Sequence, residues 1–251
     1  MTVQNLCDLA EEPYASIICY PRVDKSELRK RLNELEKLEI TGIEFSGKKQ
    51  ILNLQVLGKG CVGIVVMARR RKRRVALKIR RTDADRENMI REAMLLRKAN
   101  AVEVGPRLID ARKDFLVMQL VLGDLLPKWV ERKASKEETS NVLKGILEQC
   151  WRLDMVGLDH GELSHAPKHI IVNTKQKPVI VDFETASLDR RPANVTSVCQ
   201  FLFMDRNTSN ISEKLGLGNK KSIISALQSY KKERNRRNFI RVLKSCGLYD
   251  T

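Results

Sequence analysis

The run Leu57-Gly58-Lys59-Gly60-Cys61-Val62-Gly63-Ile64-Val65 constrains this chain more than any other segment. Three glycines spaced Gly-x-Gly-x-x-Gly make a turn poor in side chains, and the residues after the third glycine decide its setting. In a dinucleotide-binding unit that glycine opens a helix. Here it opens the β-branched run Ile64 to Ala68, succeeded by a basic turn and another apolar run, Val75 to Ile79. The motif therefore belongs to a β-hairpin, and the dinucleotide-binding reading is excluded. A Walker loop is excluded as well, because no Lys-Ser/Thr pair ends the segment. A glycine-rich hairpin lets backbone N–H groups close over phosphates, although a tight turn with no ligand has the same composition.

The third run, Val75-Ala76-Leu77-Lys78-Ile79, sharpens the choice. Strand residues alternate, so Ala76 and Lys78 share a face. A lysine among apolar neighbours is costly unless an anion pairs with it, and a phosphate or a carboxylate would serve. Further on, Leu158-Asp159-His160-Gly161-Glu162-Leu163 precedes Lys168-His169-Ile170-Ile171-Val172, and Val179-Ile180-Val181-Asp182-Phe183-Glu184 comes next. Two short apolar strands flanked by carboxylates can hold a base and a metal ligand together.

Elsewhere the pattern supplies a frame. Ala15 to Tyr20 reads as a short strand ended by Pro21. Asp24 can cap a helix with Leu28, Leu32, Leu35 and Leu38 at helical spacing, and Ile40 to Phe45 returns as a strand. Residues 1–48 are thus expected to form a small α/β appendage. Residues 49–122 hold the sheet, with Leu52, Leu54 and Val56 alternating before the hairpin. A helix opened by Asp83 or Asp85 comes after it, then strands at Leu108-Ile109 and Phe115 to Leu122. From 123 to 251 helices dominate: Ser135 to Val156, with Val142, Ile146, Cys150 and Leu153 on one face, and a basic stretch from Asn194, taken as a cap, to Leu243. The fold class is α+β.

Glycine hairpin, Val-Ala-Leu-Lys strand, the helix Ile90 to Leu96 and the Asp-Phe-Glu triplet, in that order, resemble the protein-kinase-like superfamily. No long activation segment or Ala-Pro-Glu signature comes after Glu184. The resemblance is therefore to compact atypical kinases: the RIO family, the small kinase of the KEOPS tRNA-modification complex, and predicted archaeal serine/threonine kinases. It covers roughly residues 50–200. It implies two lobes, an antiparallel-sheet N-lobe and a mainly helical, truncated C-lobe.

The same resemblance implies ATP contacts from Gly58, Gly60, Gly63, Val65, Ala76, Lys78, Met118, Gln119 and Val121, with Met118 at the gatekeeper position. Glu92, with Glu87 as the alternative, would pair with Lys78. Asp182 would carry the magnesium of the nucleotide, with His169 or Glu184 completing the metal shell, and Glu162 would act on the acceptor hydroxyl. The departures are specific. Glu162 stands where the family has aspartate, His169 where it has asparagine, and Glu184 where it has glycine. Seven positions separate Glu162 from His169, against the family's usual ~5.

Composition narrows the partners. A net charge of +16 attracts polyanions, so an RNA or ribosomal partner joins a protein Ser/Thr substrate as an expectation. It counts against a small-molecule kinase with an acidic acceptor pocket. The run Arg69 to Arg74 is expected at a solvated hairpin tip, open to RNA or an acidic substrate. The six cysteines show no Cys-x-x-Cys spacing, which removes zinc and dithiol chemistry. Apolar runs too short for a bilayer, and acidic residues where a signal peptide needs basic ones, point to the cytoplasm. Two functions remain open: Ser/Thr phosphoryl transfer with autophosphorylation, or a nucleotide-binding pseudokinase or slow ATPase acting as a scaffold on RNA or ribosomal particles.

Overall fold

The computed structural model describes residues 3–132, 135–204 and 220–249, with backbone alone at 165–167. The expected helical stretch over 205–219 lies outside them. The chain divides into two compact units, Met1–Arg97 with Pro106–Leu120, and Lys98–Gly105 with Val121–Thr251.

The first unit is built on an antiparallel sheet. Its strands are β1 (Val3–Asn5), β2 (Ile40–Glu44), β5 (Gly58–Lys59), β6 (Gly63–Arg70), β7 (Arg73–Arg80), β8 (Leu108–Ala111) and β9 (Phe115–Gln119). The order is β1-β2-β6-β7-β9-β8, with β5 pairing β6. A separate hairpin joins β3 (Lys49–Ile51) to β4 (Leu54–Val56), so the expected continuous alternation from Leu52 is broken by a turn at Leu52, where φ is +52°.

Both faces of β6 and β7 are apolar, and this dictates what residues 3–48 do. Ile64, Val66 and Ala68 of β6, Val75, Leu77 and Ile79 of β7, and Phe115 and Val117 of β9 form one buried cluster. They pack with Leu9, Ile17, Ile18, Leu28, Leu35 and Leu38. Each of the larger side chains contributes about 1.5–3 kcal/mol when buried, so the back of the sheet requires a cover. Helices α1 (Ala15–Ile18) and α2 (Lys25–Lys37) supply it, while β1 and β2 extend the sheet. The N-terminal segment is thus the rear layer of this unit and does not stand apart as an appendage.

Ala15 to Tyr20, expected as a strand, begins as α1; a short apolar run carries no period that separates the two. Asp24 does cap α2, accepting from the Glu27 amide at 2.8 Å. Beside the leucine stripe α2 buries Arg31 completely. Its guanidinium donates to Ile18 O (2.7 Å), Arg80 O (2.6 Å), Asp114 Oδ1 (3.0 Å) and Glu27 Oε1 (2.8 Å), fastening the cover to the end of β7.

The basic run forms the expected hairpin tip, exposed but for the half-buried Arg70, yet most of its cations are paired. Arg69, Arg70, Arg73 and Arg74 lie in the strands, leaving Arg71 and Lys72 to turn. Arg69 and Arg74 both bind the buried Glu44, Arg70 binds Glu39 and Asp110, and Arg71 binds Glu39. Carboxylates distant in sequence neutralise most of the repulsion. Helix α3 (Ile90–Asn100) starts well after Asp83 and Asp85, with the Asn88 side chain accepting from the Ile90 amide at 3.0 Å.

The second unit carries a small antiparallel sheet, β10 (Gly123–Leu125), β11 (Ile170–Asn173) and β12 (Pro178–Ile180), in that order. Around it lie α4 (Leu126–Glu131), α5 (Lys136–Met155), α6 (Asn194–Cys199), α7 (Lys220–Lys232) and α8 (Arg236–Ser245). Ser135 opens α5 with a capping box: its hydroxyl accepts from the Glu138 amide, whose carboxylate accepts from the Ser135 amide. The stripe Val142, Ile146, Cys150 and Leu153 is buried as the spacing predicts. Asn194 is not the expected cap; Ala193 holds that position and the asparagine is buried for another purpose. No helix among the described residues is long and apolar enough to cross a membrane.

Candidate active site

In the first unit, strand register does the positioning. Val65 lies opposite Lys78, Lys78 opposite Leu116, and Ala76 opposite Met118, so Val65, Ala76, Lys78 and Met118 share the face turned away from the N-terminal cover. Lys78 Nζ donates to both carboxylate oxygens of Glu92, at 2.9 and 3.0 Å, and both side chains are buried. Glu87, the alternative, precedes α3. The third glycine has a steric reason. A Cβ on Gly63 would stand 3.0 Å from Ile79 O and 3.1 Å from Cε and Cγ of Lys78, so any side chain here would crowd the lysine stem by a few tenths of an ångström. Gly58 has no such constraint, its Cβ meeting Val65 at ordinary distances. The Gly60 amide donates to Gly63 O at 2.8 Å and closes the turn. Among the described residues, the amides of Cys61 and Val62 donate to no backbone acceptor. Met118 and Val121 are half-buried and Gln119 exposed, and Val121 belongs to the second unit.

In the second unit, Glu162 and Asp182 sit on two loops held by a polar network behind them. Asp154 of α5 accepts from the Asn194 amide (2.9 Å), Asn194 Nδ2 (2.8 Å), the Val195 amide (3.3 Å) and Tyr230 Oη (2.9 Å). Asn194 also donates to Leu158 O (2.7 Å) and accepts from the His160 amide (2.8 Å). Burial pushes the Asp154 carboxyl up despite these bonds, and burial together with Asp154 pushes the Tyr230 phenol well up.

His160, fully buried, donates from Nε2 to Val181 O at 3.1 Å and packs edge-on against His169 and Phe183. Burial, then the charge of His169, lowers its pKa to about 4, so it is a neutral structural ring. A second strut runs in front. Arg190 donates to Asp159 Oδ2 (2.9 Å) and Thr185 O (2.6 Å), while Thr185 Oγ1 donates to His160 O (3.0 Å). Gly161, at φ +87°, lies so close that a Cβ would meet Arg190 Nη2 at 2.5 Å. The loop carrying Glu162 and the turn carrying Asp182 are thereby tied to each other.

Asp182 adopts φ +69°, a left-handed conformation that aspartate enters more readily than most residues other than glycine. Its side chain is 40% exposed, with Oδ2 3.9 Å from Nδ1 of His169. The extra residues between Glu162 and His169 form a 3-10 turn, Leu163–Lys168, containing His165, whose side chain is outside the described set. Burial lowers the His169 pKa against the pull of Asp182 and Glu162.

The expected metal ligands are Asp182 with His169 or Glu184. Among the described residues no group of three His, Cys, Asp or Glu side chains is placed to hold an ion. Magnesium does not require one, since it commonly takes one or two carboxylates and completes its octahedron with phosphates and water. The oxygen donors Asp182 and Glu184 fit that chemistry; a neutral imidazole suits it poorly.

Asp154, Asp159, Arg190 and Asn194 escape a reading of the sequence because their partners lie far along the chain. The only local signal is the density of carboxylates in Asp154 to Glu162.

A glycine hairpin over a buried lysine–glutamate pair, in a chain that also carries tethered carboxylate loops, defines a protein-kinase-like protein. Comparison with known proteins makes the class specific. The model of the RIO domain matches residues 65–214, about three fifths of the chain. An uncharacterized protein of Methanocaldococcus jannaschii, MJ1211, is 30% identical over 102 residues, which is 40% of this chain and 85% of the relative. The chain belongs to the RIO domain family, within the atypical protein-kinase-like superfamily, whose members generally use ATP and magnesium.

Proposed function

We propose that this protein transfers the γ-phosphoryl group of ATP to Ser/Thr hydroxyls of a protein substrate, itself included. The buried Lys78–Glu92 pair carries the reading: a desolvated ammonium paired with a carboxylate is oriented for phosphate oxygens. In this reading the amides of Cys61 and Val62 receive phosphate oxygens, and the face of Val65, Ala76 and Met118 takes the base, with Gln119 at its rim. Glu162 accepts the proton of the acceptor hydroxyl. Magnesium, held by Asp182 and Glu184, would neutralise charge on the phosphates. The reaction is in-line displacement, so positioning by the two tethered loops is the main contribution of the chain.

The test is transfer from γ-labelled ATP with magnesium to the protein and to a generic Ser/Thr acceptor, comparing wild type with Asp182→Ala and Glu162→Gln. Label that disappears in the first variant and falls in the second while ATP binding persists supports the assignment. Unaffected transfer in Glu162→Gln removes Glu162 as the base.

A second reading is favoured by Glu162 and Glu184, which replace the family's aspartate and glycine: a nucleotide-binding scaffold or slow ATPase on RNA or a ribosomal particle in the cytoplasm. Tight ATP binding without transfer would select it. The charge of +16 supports a polyanionic partner, while the carboxylates paired with Arg69, Arg70, Arg71 and Arg74 leave Lys72 and Arg73 as the hairpin's contribution.

A further inference from the structure

The sequence assigns no task to residues 3–48 beyond folding, and they lie outside the RIO domain match. One of their side chains nonetheless reaches the glycine turn. Tyr20 is fixed at its backbone, its carbonyl accepting from the Thr82 amide at 2.8 Å and from Thr82 Oγ1 at 3.1 Å. Its hydroxyl accepts from Lys59 Nζ at 2.8 Å, and Lys59 lies between the first two glycines. The ammonium also stands 4.8 Å from the centre of the ring, and the guanidinium of Arg81 stands 5.2 Å from it.

Arg81 completes the connection. Its amide donates to Val62 O at 2.8 Å and its Nη1 to Gly60 O at 3.2 Å, both within the turn. Asp83 holds the guanidinium in place through two bonds, at 2.8 and 2.7 Å. One aromatic ring from the rear layer therefore braces the strand entering the turn through Lys59, and the turn itself through Arg81.

We infer that Tyr20 is a positioning residue which, with Lys59 and Arg81, holds the turn Gly60–Gly63 in the shape that receives nucleotide phosphates. The inference rests on the ATP reading above for its ligand, but not for the brace itself. Glycines leave a turn mobile, and an unbraced loop must be ordered by the ligand at the expense of affinity. The N-terminal segment thereby acts on the phosphate end of the nucleotide and leaves the base end alone.

The test compares wild type with Tyr20→Phe, Tyr20→Ala and Lys59→Met, by amide hydrogen exchange over 58–63 without ligand and by binding of ATP and adenosine. Tyr20→Ala should speed exchange at Gly60 and Gly63 while the β6–β7 ladder stays protected. It should weaken ATP about tenfold and leave adenosine unchanged. Tyr20→Phe, which keeps the ring, should recover most of the ATP affinity. Should Tyr20→Ala fail to fold, Tyr20→Leu removes the ring in its place, and no coupling between Tyr20→Leu and Lys59→Met in a double-variant cycle overturns the inference. Unchanged exchange, or equal loss for ATP and adenosine, also overturns it. A wild type that binds no ATP defeats the functional proposal, and the exchange measurement still decides the brace.

Discussion

The two carboxylate sites of this protein are held by opposite means. Glu92 is held in a buried ion pair with Lys78, a residue that strand alternation had already placed on its face. Glu162 and Asp182 lie on loops, where no periodicity positions anything, and a web from Asp154 through Asn194, His160, Asp159 and Arg190 replaces it. A sheet positions residues by repeating its backbone geometry. A loop must be positioned by bonds from elsewhere, and the loss of one bond reaches further.

The sharpest break in that comparison is Asp154→Ala. It leaves Tyr230, Asn194 Nδ2 and two backbone amides short of an acceptor, and should cost about 3–5 kcal/mol. Both tryptophans, Trp129 and Trp151, belong to the second unit, so fluorescence-detected urea unfolding reads that unit specifically. An unchanged midpoint would show that the loops need no web.

Glu92→Ala should cost about 3 kcal/mol in circular dichroism, because burial makes the loss of one member of an ion pair expensive. The pair Lys78→Met with Glu92→Leu should regain most of that loss while remaining inactive. A double variant no more stable than the single one would mean that the first site is also held by a web.

His160 gives the comparison a pH dependence. Its folded pKa of about 4 lies below the ordinary 6.5, so the unfolded chain takes up the proton first. Its contribution is fully present above pH 6.5 and is lost as pH falls toward 4, by up to about 3 kcal/mol. Asp154, whose carboxyl is pushed up, works in the opposite direction near the acid end. His160→Gln should flatten the slope of the fluorescence midpoint between pH 6.5 and 4.5; an unaltered slope would assign it to other groups.

Arg190→Met tests positioning apart from stability. Its guanidinium is half exposed, so it should cost only about 1 kcal/mol while lowering transfer about tenfold. Equal and small effects on both would make the strut dispensable. Lys72→Ala, at the hairpin turn, should change stability by less than about 0.5 kcal/mol. A larger loss would reveal a partner for this lysine.

What was legible in the sequence was what repeats or turns locally. Period-two alternation gave the sheet strands and the face of Lys78, the glycines gave the hairpin, and Asp24 and Ser135 announced their helices. Glu92 was chosen over Glu87 from its sequence context, and the ion pair distinguishes them. The strand expected at Ala15 to Tyr20 failed because so short an apolar run carries too little period to choose between helix and strand. Tertiary structure alone decided that residues 3–48 cover the sheet, that Glu39 and Glu44 neutralise the basic run, and that Asn194 serves His160 and Asp154 instead of capping a helix. Each of these joins residues distant along the chain, and such pairings are fixed by which buried surfaces and charges must find partners once the chain is compact.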